Sequence, residues 1–223
     1  MKPLPPERFA TCLTDVLPSE VVFACDDPQS PPEGLWPEEA RSIANAIAKR
    51  QCEYAAGRRA ARNALSRLGL PAEPLLAAAN RVPIWPEGTV GSISHCTEKC
   101  IALVAFKNDV QSLGVDVESA GPLKSELVAE VCTPREVSTL INASATPLVR
   151  AKQVFSAKEA AFKAQYMITG KMLGFGGFEI AFPTSTQFLA RFTRPENDFE
   201  EQFEGHGHAL LFDDHFYHIV LIA

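Results

Sequence analysis

No hydrophobic run in this 223-residue sequence reaches the roughly 18 residues that a membrane span requires. The opening stretch, MKPLPPERFATCLTDVLP, also lacks the continuous apolar core of a signal peptide, so the expectation is a cytoplasmic protein with no membrane span. The six cysteines, Cys12, Cys25, Cys52, Cys96, Cys100 and Cys132, have no paired CxxC spacing. That disfavours a disulfide framework and predicts reduced, mostly buried thiols. A zinc site at His95, Cys96 and Cys100 fails for want of a fourth ligand at the usual spacing. An excess of positive charge is missing as well: the net charge of -6 argues against general nucleic-acid binding. Residues 196–214 contain no Lys or Arg but carry Glu196, Asp198, Glu200, Glu201, Glu204, Asp213 and Asp214, and read as a solvated surface. There is no clear internal repeat, low-complexity block or long flexible linker.

What is present is an ordinary globular composition, 46% hydrophobic and 22% charged, enough for one domain or two lobes of roughly 100 residues each. The part before Pro37 holds Pro3, Pro5, Pro6, Pro18, Pro28, Pro31 and Pro32, which suits extended segments and turns, with a strand at 21–24. Apolar residues Ile43, Ile47, Tyr54, Ala61, Leu65 and Leu68 recur at steps of three, four or seven and predict one helix over 37–68, stopped by Gly69 and Pro71. Short β-rich runs follow at 90–94, 100–106 and 112–118. Thr133-Pro134-Arg135-Glu136 is a capping box that opens a helix toward Ile141, and a second helix is expected over 147–166. Strands are expected at 178–182, 187–193, 209–212 and 216–222, the last two joined by a turn at Asp213-Asp214. Each half thus pairs helical material with antiparallel strands, with a division near Asn108-Asp109-Val110.

Four segments can carry chemistry. In Leu113-Gly114-Val115-Asp116-Val117-Glu118 the alternation of a strand puts Asp116 and Glu118 on one face. Two acids so close repel unless a cation or proton intervenes, and hard oxygen ligands of this kind suit magnesium; a solvent-facing strand is the plain alternative. On a helix, Phe155, Glu159 and Lys163 fall at i, i+4 and i+8, which adds a carboxylate and an amine on one stripe, or an ordinary surface pair. Between Arg41 and Arg67 the bases Arg41, Lys49, Arg50, Arg58, Arg59, Arg62 and Arg67 face the single acid Glu53. Arg50 and Arg58 flank Tyr54 on the apolar side of that helix, where they line a pocket for an anion or join a buried ion pair, while Arg59 points the opposite way, toward solvent. Finally, Arg81-Val82-Pro83-Ile84-Trp85-Pro86 and the following Gly91-Ser92-Ile93-Ser94-His95 bring a hydroxyl and an imidazole to a strand end where a phosphate could bind.

In this order, KRQCEYAAGRRAARNAL, RVPIWPEGTVGSISH, LGVDVE, FSAKEAAFKA and LGF, over roughly residues 49–182, resemble the 4'-phosphopantetheinyl transferases that serve siderophore, peptide and polyketide synthases. The resemblance implies a pseudo-twofold, two-lobed α/β (α+β) fold with coenzyme A in the cleft between the lobes: residues 1–110 for coenzyme A recognition, 111–223 for the metal and the catalytic helix. It assigns Mg2+ to Asp116, Glu118 and Glu159. Lys158 and Lys163 approach the coenzyme's phosphates, Arg50 and Arg58 its 3'-phosphate end, and Ser94 and His95 its phosphates, with Arg81 nearby. Phe155 stands where many relatives carry tryptophan.

The implied reaction moves phosphopantetheine from coenzyme A to a serine of an apo acyl or peptidyl carrier protein, with Glu159 and Lys163 as catalytic base and acid. The carrier, itself acidic, would dock near Lys158, Lys163 and Lys171; a monomer is expected. A non-catalytic binding module descended from such an enzyme, or a metal-dependent phosphodiester hydrolase, are the competing readings.

Overall fold

The structure, a computed structural model, describes residues 7–193 and 204–222. Pro3, Pro5 and Pro6 and the acids Glu196, Asp198, Glu200 and Glu201 lie outside these. The chain divides into two compact units, Met1–Gln111 and Ser112–Ala223.

In the first unit the proline-rich beginning contains a helix that its prolines did not suggest, α1 (Glu7–Thr14), which buries Phe9 and Leu13 one turn apart. Strand β1 (Val22–Asp26) follows. The single helix expected over 37–68 is two, α2 (Pro37–Ile43) and α3 (Ala48–Arg67). The break is held by Gln51, whose side-chain amide donates to the carbonyls of Ala46 at 2.9 Å and Ala44 at 3.2 Å, where a helix end leaves carbonyls to be satisfied. Ile47, counted on the apolar face, is 74% exposed there. Strands β2 (Thr89–His95) and β3 (Cys100–Phe106) complete an antiparallel sheet in the order β1-β3-β2. Helix α3 lies on it through small residues: Ala56, Ala60 and Ala61 meet Cys100 and Ala102, and Ala64 and Leu65 meet Ala24 and Val104. Alanines let the helix backbone approach the strands closely.

The second unit begins with β4 (Ser112–Ser119), followed by a short 3-10 turn, α4 (Val128–Val131) and α5 (Pro134–Glu136), which runs into a wide π turn over Val137–Ile141. The long helix α6 (Pro147–Thr169) ends on Gly170 in the left-handed conformation that a helix C-terminus favours. Strands β5 (Phe178–Ala181), β6 (Gln187–Phe192), β7 (Glu204–Phe212) and β8 (His215–Ile222) form, with β4, an antiparallel sheet in the order β4-β8-β7-β6-β5. Asp213 and Asp214, both at positive φ (49° and 55°), make the expected tight turn between β7 and β8. Val154, Ala157, Ala160 and Ala164 of α6 are fully buried in one core with Phe178, Phe188 and Val220.

Both units repeat one device. Glu39, at the third position of α2, is fully buried: it accepts from the backbone N–H of Trp36 at 2.9 Å and of Leu75 at 2.8 Å and pairs with Arg62 of α3 at 2.6 Å. Glu136, at the third position of α5, accepts from the N–H of Thr133 at 2.7 Å and of Ile180 at 2.6 Å and pairs with Lys158 of α6 at 2.7 Å. In each unit a Pro-x-Glu helix start fastens a distant backbone segment and the unit's long helix to one buried carboxylate, whose negative charge is met by hydrogen bonds and a cation. The result is a mixed helix and antiparallel-sheet fold of the α/β (α+β) class.

Candidate active site

On β4, Leu113, Val115 and Val117 are fully buried on one face, and Gly114, Asp116 and Glu118 share the other, which α6 covers. Contact is closest at Gly114: a Cβ there would lie 2.0 Å from the carbonyl oxygen of Ala160. A glycine is required for the strand and helix backbones to meet. Two and four residues on, the same face delivers Asp116 and Glu118 to the polar stripe of α6.

That stripe is Lys152, Ser156, Glu159 and Lys163. Asp116, 5% exposed, accepts from Ser156 Oγ on Oδ2 and from Lys163 Nζ on Oδ1, both at 2.8 Å. Lys163 also donates to the Val115 carbonyl at 2.9 Å. Glu118 pairs with Lys152 at 3.0 Å. Glu159 stands half-buried among them, with no hydrogen bond or ion pair to another described residue. Its burial pushes its pKa up; Lys163 pulls the other way, and the charges of Asp116 and Glu118 push it further up. The structure thus brings Asp116, Glu118, Glu159 and Lys163 into one electrostatic neighbourhood. Among the described residues no three His, Cys, Asp or Glu side chains form a ready metal cage. The local reason is that Lys152 and Lys163 hold oxygens of Glu118 and Asp116. Asp116, Glu118 and Glu159 are nonetheless oxygen donors, the kind a hard divalent cation takes, and their charges influence one another.

Sequence reasoning missed Lys152, Ser156 and His218. Ser156 and Lys152 lie one and two helical turns before Glu159 on the stripe, so helical spacing alone could have found them. His218 could not be found that way, because it reaches the site through strand pairing: it is the register partner of Asp116 on β8. Fully buried, it contacts Ser156 Oγ through Nδ1 at 2.9 Å, and burial pulls its pKa down to about 4.

Lys158 does not join this group. It is 1% exposed, and its three ammonium protons meet Glu136 at 2.7 Å and the carbonyls of Val131 and Phe175, each at 2.9 Å. An ammonium with three donors so committed has none left for a phosphate or for a docking partner. Lys158 is the counterpart of Arg62 in the first unit, and the phosphate role expected of it is corrected to a structural one.

In the first unit the basic helix separates into two sets. Arg59, expected in solvent, is buried in a bidentate pair with Asp26 at 2.7 and 3.1 Å, and Arg62 is the partner of Glu39. Arg58 is different: 6% exposed, it lies 4.1 Å over the Tyr54 ring and donates Nε–H to the Leu75 carbonyl at 2.8 Å, and it has no carboxylate partner among the described residues. Its pKa is lowered by burial, against the opposing influence of Tyr54. Arg50 is exposed and places Nη1 3.0 Å from His95 Nε2 and 3.4 Å from Glu53 Oε2. Arg50 and His95, expected at different phosphates of one ligand, are thus neighbours. Ser94 does not accompany His95. It pairs with Ile101 and His95 with Cys100, so the pleat sends the two side chains to opposite faces, and Ser94 is 5% exposed. Arg81 is an exposed loop residue at φ 70°.

Comparison with known proteins matches both halves of the chain. The model of the 4'-phosphopantetheinyl transferase N-terminal domain matches residues 38–105, and that of the 4'-phosphopantetheinyl transferase superfamily matches residues 112–219. The chain is 44% identical over 173 residues to 4'-phosphopantetheinyl transferase Svp of Streptomyces mobaraensis, covering 76% of this chain and 70% of that one. It is 36% identical over 187 residues to 4'-phosphopantetheinyl transferase PptT of Mycobacterium tuberculosis, covering 82% of each. Enterobactin synthase component D of Escherichia coli K12 is 34% identical over 137 residues, 60% of this chain and 64% of that protein. With both halves matched by family models and relatives similar over most of its length, the chain belongs to the 4'-phosphopantetheinyl transferases.

Proposed function

We propose that this chain transfers the 4'-phosphopantetheine group of coenzyme A to a serine of an apo acyl or peptidyl carrier protein, with Mg2+ held by Asp116, Glu118 and Glu159. The observation that supports it most is the placement of Glu159, a half-buried carboxyl on the stripe of α6 that also carries Lys163 and that Asp116 and Glu118 face. Glu159, directly or through water, takes the proton of the incoming serine hydroxyl. The serine oxygen forms its bond to the phosphorus that carries pantetheine as the pyrophosphate bond breaks, and adenosine 3',5'-bisphosphate leaves. When bound, Mg2+ supplies charge neutralisation at the pyrophosphate. Lys163 offers positive charge, or a proton, to the leaving phosphate.

Arg50 and His95, with the buried Arg58 eight residues after Arg50 on α3, are the first unit's groups for the phosphates of coenzyme A. Arg58 suits a bound anion because its nearest fixed partners are a carbonyl and a ring. Ser94 and Arg81 are secondary candidates. The division of labour is residues 1–110 for the coenzyme and 111–223 for metal and proton transfer. The protein works as a cytoplasmic monomer; its six cysteines are free thiols, in keeping with a reducing compartment, and no described helix is long and apolar enough to cross a membrane.

The test is mass spectrometry of a panel of purified apo carrier proteins after incubation with coenzyme A and magnesium. A mass gain of one phosphopantetheine is expected, and Glu159→Ala is expected to abolish it. Normal transfer by that variant would remove Glu159 from the mechanism. Release of free phosphopantetheine without modified protein would point to hydrolysis.

A further inference from the structure

We propose that His218 is a positioning residue for Asp116, acting through Ser156. This deepens the reading that Asp116 serves the transfer reaction, and rests on it. Asp116 and His218 are register partners on β4 and β8, so both side chains leave the sheet on the side that α6 covers. Ser156 of α6, fully buried, lies between them. A serine hydroxyl has one proton, and here it points to Asp116 Oδ2 at 2.8 Å, because an ionised carboxylate can only accept. The 2.9 Å contact between His218 Nδ1 and Ser156 Oγ must then be donated by the imidazole. The chain of hydrogen bonds has one direction, from imidazole N–H to hydroxyl to carboxylate, and it fixes the Nδ1–H tautomer.

The other ring nitrogen supports the assignment. Nε2 is buried without a hydrogen-bond partner among the described residues, and the imidazole lies amid the rings of Phe182, Phe188 and Phe216, with centroid-to-centroid distances of 6.2, 5.4 and 6.2 Å. A bare lone pair can be placed there; an N–H could not be satisfied. Among so many aromatic rings, packing alone would be served better by another apolar side chain. Among the described residues, the single hydrogen bond that His218 makes is with Ser156.

What the contact does follows from how serine behaves in a helix. Left alone, a serine hydroxyl can rotate to donate to the carbonyl one turn earlier. An N–H held against its lone pair disfavours that rotation and keeps the proton on Asp116. Lys163 holds Oδ1 at 2.8 Å, so the carboxylate is clamped at both oxygens and its plane is set before any ligand arrives.

The experiment compares wild type with His218→Phe, His218→Asn, Ser156→Ala and the double variant Ser156→Ala/His218→Phe in transfer from coenzyme A to an apo carrier protein, together with 15N NMR of the labelled wild-type protein. His218→Phe keeps volume and loses the donor, so kcat is expected to fall about tenfold to a hundredfold, with KM for coenzyme A changed less than about twofold. His218→Asn, whose amide can stand in for Nδ1–H, should recover most of the loss. The double variant should be no slower than Ser156→Ala, since the histidine acts only through that hydroxyl. The NMR signals of His218 should show the Nδ1–H tautomer, a readout that needs neither turnover nor a folded variant. Wild-type kcat in His218→Phe, additive losses in the double variant, or an Nε2–H tautomer would each overturn the proposal. A wild-type protein that transfers nothing, with the tautomer as expected, would instead overturn the function on which it rests.

Discussion

Gly114→Ala adds one methyl group to the chain at the point where β4 and α6 touch. The new Cβ would sit 2.0 Å from the Ala160 carbonyl oxygen and 2.7 Å from the Ala164 nitrogen. Both obstacles are helix backbone, which has no rotamer to adopt, so α6 must retreat by about 1 Å before contact becomes tolerable. Overpacking of this kind costs about 1–3 kcal/mol, and a backbone obstacle places the variant at the upper end. The retreat also stretches the 2.8 Å bonds from Ser156 and Lys163 to Asp116 past useful length. Two hydrogen bonds, one buried and one partly buried, at about 1 kcal/mol each bring the expected loss to about 4–5 kcal/mol. Urea unfolding of Gly114→Ala against wild type measures it. Gly121→Ala is the control, because a Cβ there meets nothing within 4 Å and its φ is ordinary. A loss below about 1 kcal/mol for Gly114→Ala would refute the claim that this contact sets the distance between strand and helix.

Lys158→Met removes the cation from a buried pair and should cost about 3 kcal/mol in urea unfolding while leaving the coenzyme A KM within about twofold of wild type; a stable variant with a raised KM would return the lysine to the coenzyme. His218 predicts an acid-limited stability. Its folded pKa of about 4 lies below the ordinary 6.5, so the unfolded chain binds the proton first and stability is lost as pH falls from 6.5 toward 4. The shift corresponds to about 3 kcal/mol across that window, and His218→Phe should flatten the fall in stability by that amount; identical pH profiles would refute it. Arg58→Ala should weaken coenzyme A more than dephospho-coenzyme A in calorimetric titration, and equal losses for both would remove Arg58 from the 3'-phosphate.

How much of this was legible in the sequence depends on the distance over which each feature is encoded. The alternation of β4, the capping box at Thr133 and the turn at Asp213-Asp214 are local patterns, and the structure has each where its pattern predicted. The periodicity runs on through residues 44–47 and predicts one helix where the structure has α2 and α3. What ends α2 is the side chain of Gln51, one turn into the next helix. Arg59 was misjudged for a related reason: on a helix wheel it points away from Tyr54, but Asp26 of β1 comes to meet it, and no wheel shows strands. The separation of Ser94 from His95 was legible and overlooked, since neighbours on any strand face opposite ways. His218 joins the site through pairing between strands about 100 residues apart in the chain, which a single sequence does not disclose.

The two buried carboxylates, Glu39 with Arg62 and Glu136 with Lys158, change how one short word in the sequence is to be read. Lys158 and Glu159 are neighbours, yet one is directed into the core and the other toward Asp116 and Glu118. The dipeptide is two messages interleaved, one addressed to folding and one to chemistry. If Glu159 has the proposed role, a related chain that kept the lysine and lost the glutamate is expected to assemble its long helix and to transfer nothing. Such degenerate copies should therefore be recognised by the glutamate alone, because the lysine beside it vouches only for shape.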